Sequence, residues 1–126
     1  MSANGENGLP ARFKQALQET ETSGEPKHVA SFFAEGAPLT NLGGDHGTDA
    51  TVFWQKYLEQ FREIRSDFTN ETVSDGSAAL EWQSRGTLND GRPVDYRGIS
   101  VIEFDNDRVT SFRTYYDSAA FVRSGG

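Results

Sequence analysis

The sequence contains no cysteine and only two histidines among its 126 residues. The absence of cysteine excludes disulfide bonds, thiolate metal sites and cysteine nucleophiles. The two histidines, His28 and His46, lie far apart in the sequence, and neither has a carboxylate at ligand spacing. We therefore expect no metal site and no cofactor.

Long apolar runs are also missing, and positive charge is in the minority. No apolar stretch approaches the length of a membrane-spanning helix. The first eight residues also lack the basic region followed by an apolar core that a signal peptide has. The 12 Lys and Arg residues are scattered among 19 Asp and Glu residues, for a net charge of -7. Nucleic acids and anionic membranes are bound through clustered cations. We therefore expect a cytoplasmic protein that binds neither.

Aromatic residues, in contrast, are numerous enough to build a core, with 9 Phe, 4 Tyr and 2 Trp. The length fits one domain, which we assign to residues 1–126, with residues 1–8 and 124–126 predicted to be disordered tails. The first half has helical periodicity over 9–22, 26–34 and 49–64, with Gly24 and Gly36 at the ends of the first two segments. A short strand within 37–42 and a glycine-rich loop precede the third helix.

From residue 66 the hydrophobic period changes to two, which indicates strands. They are predicted at 66–73, 78–88, 94–104 and 109–116, separated by Gly, Asn and Asp residues that favour turns. A short helix over 118–122 follows. Three helices before four sequential strands predict an α+β fold, in which a curved antiparallel meander wraps around the helices.

Three segments resemble the SnoaL-like branch of the nuclear transport factor 2-like superfamily. They are Phe-Phe-Ala-Glu-Gly-Ala at 32–37, Gly47 before the third helix, and Phe-Arg-Thr-Tyr-Tyr-Asp at 112–117. The resemblance runs from about residue 9 to residue 121 and implies a cone-shaped α+β barrel. The superfamily includes isomerases, dehydratases, hydrolases, cyclases and binding modules without activity, so the function has to be argued from the site.

Turn lengths predict which side chains share a face of the sheet. A two-residue loop at Asp90-Gly91 pairs Arg85 with Tyr96, and a three-residue loop at 105–107 pairs Tyr96 with Tyr116. Because side chains alternate along a strand, one face then forms the wall of a hydrophobic pocket under the helices. Its predicted ligand-binding residues, with those from the third helix and the entrance, are Asn41, His46, Trp54, Tyr57, Gln83, Arg85, Tyr96, Gly98, Thr114 and Tyr116.

Glu81 lies on the same predicted face and is the predicted catalytic residue. A carboxyl group in an apolar pocket has a raised pKa, which suits proton transfer. A structural explanation is also open, in which Glu81 and Arg85 simply pair with each other. Gly98 either leaves a hollow in the pocket wall or lets the sheet bend.

The resemblance supplies no complete set of catalytic residues. Limonene epoxide hydrolase uses an Arg–Asp–Asp constellation, and the matching positions here hold Glu81, Gln83 and Thr114. The base of ketosteroid isomerase and its two oxyanion-binding groups match Asn41, Leu17 and Ser100.

Two hypotheses for the function stay open. One is a cofactor-free acid–base enzyme (isomerase, cyclase, dehydratase or hydrolase-like) acting on a small, mostly apolar organic molecule. The other is a ligand-binding or assembly module without chemistry.

The opposite face of the predicted sheet is rich in aromatic, aliphatic and arginine residues, which are enriched at protein interfaces. The resemblance adds that related folds dimerise through this face. We therefore expect a homodimer whose interface contains Trp82, Arg97, Ile99, Val101, Arg113 and Tyr115.

Overall fold

The computed structural model describes residues 8–121, which form three α-helices, six strands and a short 3-10 helix. The helices are α1 (Leu9–Ser23), α2 (Lys27–Ala30) and α3 (Ala50–Glu59). The strands are β1 (Leu39–Asn41), β2 (Gly44–Asp45), β3 (Phe61–Ser74), β4 (Ser77–Leu88), β5 (Pro93–Asp105) and β6 (Arg108–Tyr116), and the 3-10 helix is Ser118–Phe121. The predicted tails, apart from Gly8, and the last residue of the predicted final helix lie outside the described residues. Within residues 8–121, no helix is both long and apolar enough to cross a membrane.

The strands form one sheet in the order β2-β1-β6-β5-β4-β3. Strands β3 to β6 are the predicted antiparallel meander. Strand β1 joins it in parallel to β6, with Leu39 beside Phe112, so the complete sheet is mixed. The predicted α+β class is confirmed.

Local signals fix the ends of the helices. Gly24 adopts a left-handed conformation (φ 76°) after α1, and its N–H donates to the carbonyl of Thr20 at 2.9 Å. At the start of α3, Asp49 Oδ1 accepts a hydrogen bond from the N–H of Val52 at 3.1 Å. Each contact satisfies a backbone group that the helix itself leaves without a partner.

Helix α3 ends five residues before the predicted boundary, because Phe61 and Ile64 belong to β3. They pair with Leu88 and Gly86 of β4. A shift in register between Phe61 and Glu63 inserts an extra residue, so Phe61 and Ile64 are both buried although they are three residues apart. This spacing is also that of one helix face, which explains the error in the prediction.

The register between β4 and β5 differs from the prediction by one residue. The N–H of Gly91 donates to the carbonyl of Leu88 at 2.9 Å, and Gly91 has φ 92°. The turn therefore runs from Leu88 to Gly91 and ends in a left-handed glycine. This geometry makes a three-residue loop instead of the predicted two-residue loop. Tyr96 therefore pairs with Ser84 instead of Arg85.

The one-residue shift exchanges the two faces of β4. Trp82 and Ser84 are buried beneath the helices, whereas Glu81 and Arg85 are exposed on the outer face. The hairpin between β5 and β6 also differs, with a two-residue loop and a bulge at Glu103. Its pairs move by two residues, which leaves the predicted faces of β5 and β6 unchanged.

Candidate functional site

A cavity of about 280 Å³ lies between the helices and the inner face of the sheet. Its lining comes from α1, α3, the β1–β2 hairpin, the four long strands and the 3-10 helix. Eight of its lining residues are aromatic: Phe53, Trp54, Tyr57, Trp82, Tyr96, Phe112, Tyr116 and Phe121. The rings meet mainly edge to face, as Trp82 and Tyr96 do at 5.4 Å and 88°.

Seven predicted ligand-binding residues line this cavity: Asn41, His46, Trp54, Tyr57, Tyr96, Thr114 and Tyr116. The predicted orientation of Gln83 and Arg85 is wrong, because the shifted register places both on the outer face. There Gln83 donates to Asp95 at 2.9 Å and Arg85 lies 3.4 Å from the same carboxylate. These contacts, the Gln83 hydrogen bond foremost, lower the pKa of Asp95.

The prediction that Glu81 faces the cavity is also wrong. Its side chain is exposed on the outer face and accepts a hydrogen bond from Asn70 at 3.1 Å. The alternative pairing with Arg85 does not form either, because Arg85 pairs with Asp95. Glu81 is therefore in no position to reach a molecule in the cavity.

Gly98 does not leave a hollow, because the indole of Trp82 occupies that space. A Cβ atom on Gly98 would lie 2.5 Å from Trp82 Cζ2 and 2.5 Å from the carbonyl oxygen of Tyr115. Both distances are too short for any side chain, so this position requires glycine. Trp82 is thus a cavity residue, and its predicted place on the outer dimer face is wrong.

The sequence analysis missed the buried carboxyl group, which is Glu21 on α1. Its residue is only 8% exposed. Glu21 follows Leu17 by four residues and Phe13 by eight, so helical spacing places all three on the buried face. Burial raises the pKa of Glu21, and hydrogen bonds from Ser66 and Tyr57 only partly offset that effect.

Three donors converge on the two oxygens of Glu21. The N–H of Ser66 donates to Oε1 at 2.8 Å, and Ser66 Oγ donates to Oε2 at 2.6 Å. Tyr57 Oη donates to the same Oε2 at 2.7 Å. Ser66 Oγ also lies 2.6 Å from Ser84 Oγ. A continuous chain of hydroxyl groups therefore joins the carboxyl group to lining residues of the cavity.

Two tyrosine hydroxyls near this chain stay neutral. The pKa of Tyr57 is raised far above its ordinary value of 10.0. Burial is the largest cause, and the negative charge of the nearby Glu21 is the second. The same two causes, in the same order, raise the pKa of Tyr96, while hydrogen-bond interactions with Tyr57 and Ser84 act in the opposite direction. Both side chains can therefore donate or accept hydrogen bonds, but neither serves as a base at neutral pH.

A second polar cluster lies on β4, β5 and β6. Trp82 Nε1 donates to Ser100 Oγ at 2.9 Å, and Ser100 Oγ lies 2.9 Å from Thr114 Oγ1. The buried indole nitrogen of Trp54 is different, since it has no hydrogen-bond partner among residues 8–121. A buried donor without an acceptor is unusual and is costly unless something else satisfies it.

The β1–β2 hairpin contributes a third polar group to the cavity. Asn41 Oδ1 accepts a hydrogen bond from the N–H of Gly43 and lies 2.7 Å from His46 Nε2. Because an amide oxygen only accepts, Nε2 of His46 is the donor in this contact. The imidazole also packs against Phe53 at 5.9 Å. Residues 8–121 contain no group of three His, Asp or Glu side chains arranged to hold a metal.

Comparison with known proteins places this geometry in context. A family model described as a SnoaL-like domain matches residues 14–112. A search of curated proteins finds no match. The chain superposes on an NTF2-like protein from Anabaena variabilis ATCC 29413 with a TM-score of 0.85 at 16% identity, covering 95% of each chain.

Two further solved structures have the same fold and names that denote an activity. AclR, a candidate hydroxylase from Streptomyces galilaeus, matches with a TM-score of 0.77 at 10% identity, covering 95% of this chain and 94% of AclR. A candidate isomerase from Rhodopseudomonas palustris matches with a TM-score of 0.71 at 20% identity, covering 84% of this chain and 87% of the isomerase. These identities are low, so they establish the fold alone.

The raised pKa of Glu21 predicts that the protein loses stability, relative to Glu21→Gln, as the pH rises through the acid range. Below the ordinary value of 4.5 the carboxyl group is protonated in both folded and unfolded chains. Above it, the unfolded chain releases the proton while the folded chain retains it up to its own higher pKa, so unfolding becomes more favourable.

Urea unfolding of both proteins between about pH 4 and about pH 8 tests this linkage. The free energy of unfolding of the wild type minus that of Glu21→Gln should decrease with pH. Glu81→Gln, which removes a carboxyl group from the outer face, is the matched control. A difference for Glu21→Gln that stays constant or grows would contradict the raised pKa.

Proposed function

Because the family model spans most of the chain, the protein belongs to the SnoaL-like domain family, and we propose that its cavity binds a small, mostly apolar organic molecule. The observation that carries this proposal is the cavity itself, whose aromatic walls hold two separate clusters of hydroxyl groups. Ligand sites in proteins are typically apolar with a few convergent polar groups. The volume of about 280 Å³ suits a molecule of one or two rings.

The unpartnered indole N–H of Trp54 gives the proposal independent support. Trp54 is 4% exposed and lines the cavity, and its donor has no acceptor among residues 8–121. An acceptor oxygen of a bound molecule would satisfy it.

Filling the cavity should weaken this binding. We expect Thr114→Phe, which places a ring into the space beside Ser100, to weaken the binding of small aromatic and cyclic carbonyl compounds by at least about tenfold. Thermal-shift screening identifies the compounds, and isothermal titration calorimetry measures the affinities. Thr110→Phe, at an exposed position of the same strand, is the control and should bind as the wild type does. Equal affinity of both variants would place the binding site elsewhere.

Acid–base chemistry without a cofactor is the second candidate, and the hydroxyl chain to Glu21 is the observation that favours it. A proton leaving a bound molecule can pass to Ser84 while the Ser84 hydrogen moves to Ser66 and the Ser66 hydrogen moves to Glu21. The carboxylate then becomes a neutral acid, and the bound molecule carries the negative charge. Against this stands the position of Glu21, whose carboxylate already accepts hydrogen bonds from three donors.

Exchange of hydrogen for deuterium separates catalysis from simple binding. An acid–base site should exchange the hydrogens next to the carbonyl group of a bound cyclic ketone in D₂O, and Glu21→Gln should reduce the rate by about 100-fold or more. Proton NMR follows the exchange. A rate equal to that of the buffer alone, for a ketone that binds, would leave ligand binding as the function.

We also infer a homodimer formed through the outer face of β5 and β6. There Ile99 pairs with Tyr115, and Val101 with Arg113, with Arg97 beside them. Tyr115 is 44% exposed, which is high for so large a ring. Arg113 is held by Glu103 at 3.0 Å, which orders part of this face in the single chain. Trp82, on the opposite side of the sheet, has no part in this interface.

Light scattering tests the dimer. The wild type should have about twice the chain mass of 13.9 kDa, and Tyr115→Glu should have the mass of one chain, because a buried carboxylate at an interface is costly. Thr110→Glu adds the same charge to the same strand outside this face and should remain dimeric. A wild type with the mass of one chain at micromolar concentration would remove the proposal.

A further inference from the structure

Two hydroxyl groups that line the cavity have their hydrogen atoms committed within the protein. Tyr57 Oη donates to Glu21 Oε2, and Ser66 Oγ donates to the same oxygen. A hydroxyl group has one hydrogen, so in the 2.6 Å contact between Ser66 and Ser84 the donor is Ser84. Tyr57 and Ser84 therefore have only lone pairs left to offer to a molecule in the cavity.

We call Tyr57 and Ser84 the acceptor wall, because their oxygens can accept a hydrogen bond from a bound molecule and have no free hydrogen to donate. Both residues line the cavity.

The pair of Ser100 and Thr114 has the opposite character. Its two hydroxyl groups have two hydrogens, and one of these forms the 2.9 Å contact between them. Trp82 Nε1 donates to Ser100 Oγ, so this contact occupies a lone pair of Ser100 and neither of the two hydroxyl hydrogens. One O–H hydrogen of the pair is left for a bound molecule, since both residues line the cavity.

We propose that the cavity selects molecules that present an O–H or N–H donor to the acceptor wall and an acceptor oxygen to Ser100 and Thr114. A hydroxy-substituted aromatic carbonyl compound has this pattern. The inference rests on the proposed binding of small organic molecules. It adds which end of the ligand donates a hydrogen bond and which end accepts one. A site built to hydrogen-bond a hydroxyl group rejects the analogue without it, because its buried acceptors are then left unpaired.

Glu21 determines the polarity of the acceptor wall, so one substitution should reverse it. In Glu21→Gln the amide oxygen can accept from the N–H of Ser66, and the amide nitrogen replaces Oε2. That nitrogen donates to Tyr57 and Ser66, which releases their hydroxyl hydrogens. The Ser66 hydrogen then points to Ser84, and Ser84 and Tyr57 turn theirs toward the cavity.

Titration calorimetry with 4-hydroxybenzaldehyde and 4-methoxybenzaldehyde tests the proposal, because the second probe carries a methyl group in place of the hydroxyl hydrogen and so lacks the donor. The wild type should bind the hydroxy compound about tenfold more tightly. Glu21→Gln should reverse the order and bind the methoxy compound more tightly. Glu81→Gln, the same change on the outer face, should keep the wild-type order.

Ser84→Ala provides a second variant if Glu21→Gln does not fold, as judged by circular dichroism. It removes one acceptor without creating a donor, so the preference for the hydroxy compound should shrink without reversing. Binding of both probes with equal affinity, or a preference of the wild type for the methoxy compound, overturns the donor–acceptor assignment alone. Failure of the wild type to bind either probe or any other small ring compound overturns the proposed function, and this inference with it.

Discussion

The contact of the Trp82 indole with the backbone at Gly98 determines how the cavity is built. The ring fits against β5 only because Gly98 has no side chain, and from there its nitrogen reaches Ser100 while its edge meets Tyr96. A buried indole usually finds a hydrogen-bond partner for its N–H in the place where the ring packs. The register of β4 against β5 provides the partner and the packing at once, and a shift of one residue would replace this ring with the charged side chain of Glu81.

Much of the fold was predictable because hydrophobic periodicity follows burial directly. The order of helices and strands, and the inward faces of β5 and β6, follow from the sequence alone. The inward face of β4 did not, because a single turn decides it. Asp90-Gly91 is the typical signal of a two-residue loop, but here Gly91 ends a turn that begins at Leu88. Sequence cannot separate these loops when both place a glycine at the same position.

Glu21 shows a different limit of sequence reasoning. Its spacing from Leu17 and Phe13 was sufficient to predict a buried position on α1. What the sequence could not show is its partners, because Ser66 and Tyr57 come from β3 and α3, far along the chain. A buried carboxyl group is interpretable only once its donors are known. The tertiary structure therefore identifies the buried Glu21 on α1, and not the exposed Glu81 on β4, as the carboxyl group connected to the cavity.

The parallel pairing of β1 with β6 also affects how the cavity can open. Strand β1 is held to the sheet by two residue pairs, Leu39 with Phe112 and Thr40 with Arg113, whereas the strands of the meander are joined over most of their length. Local opening free energies follow the number of such contacts. The β1–β2 hairpin, which contributes Asn41 and His46 to the cavity lining, is thus the part of the sheet that we expect to separate most readily. An opening there would admit or release a molecule while the meander, and the polar groups arranged on it, remained folded.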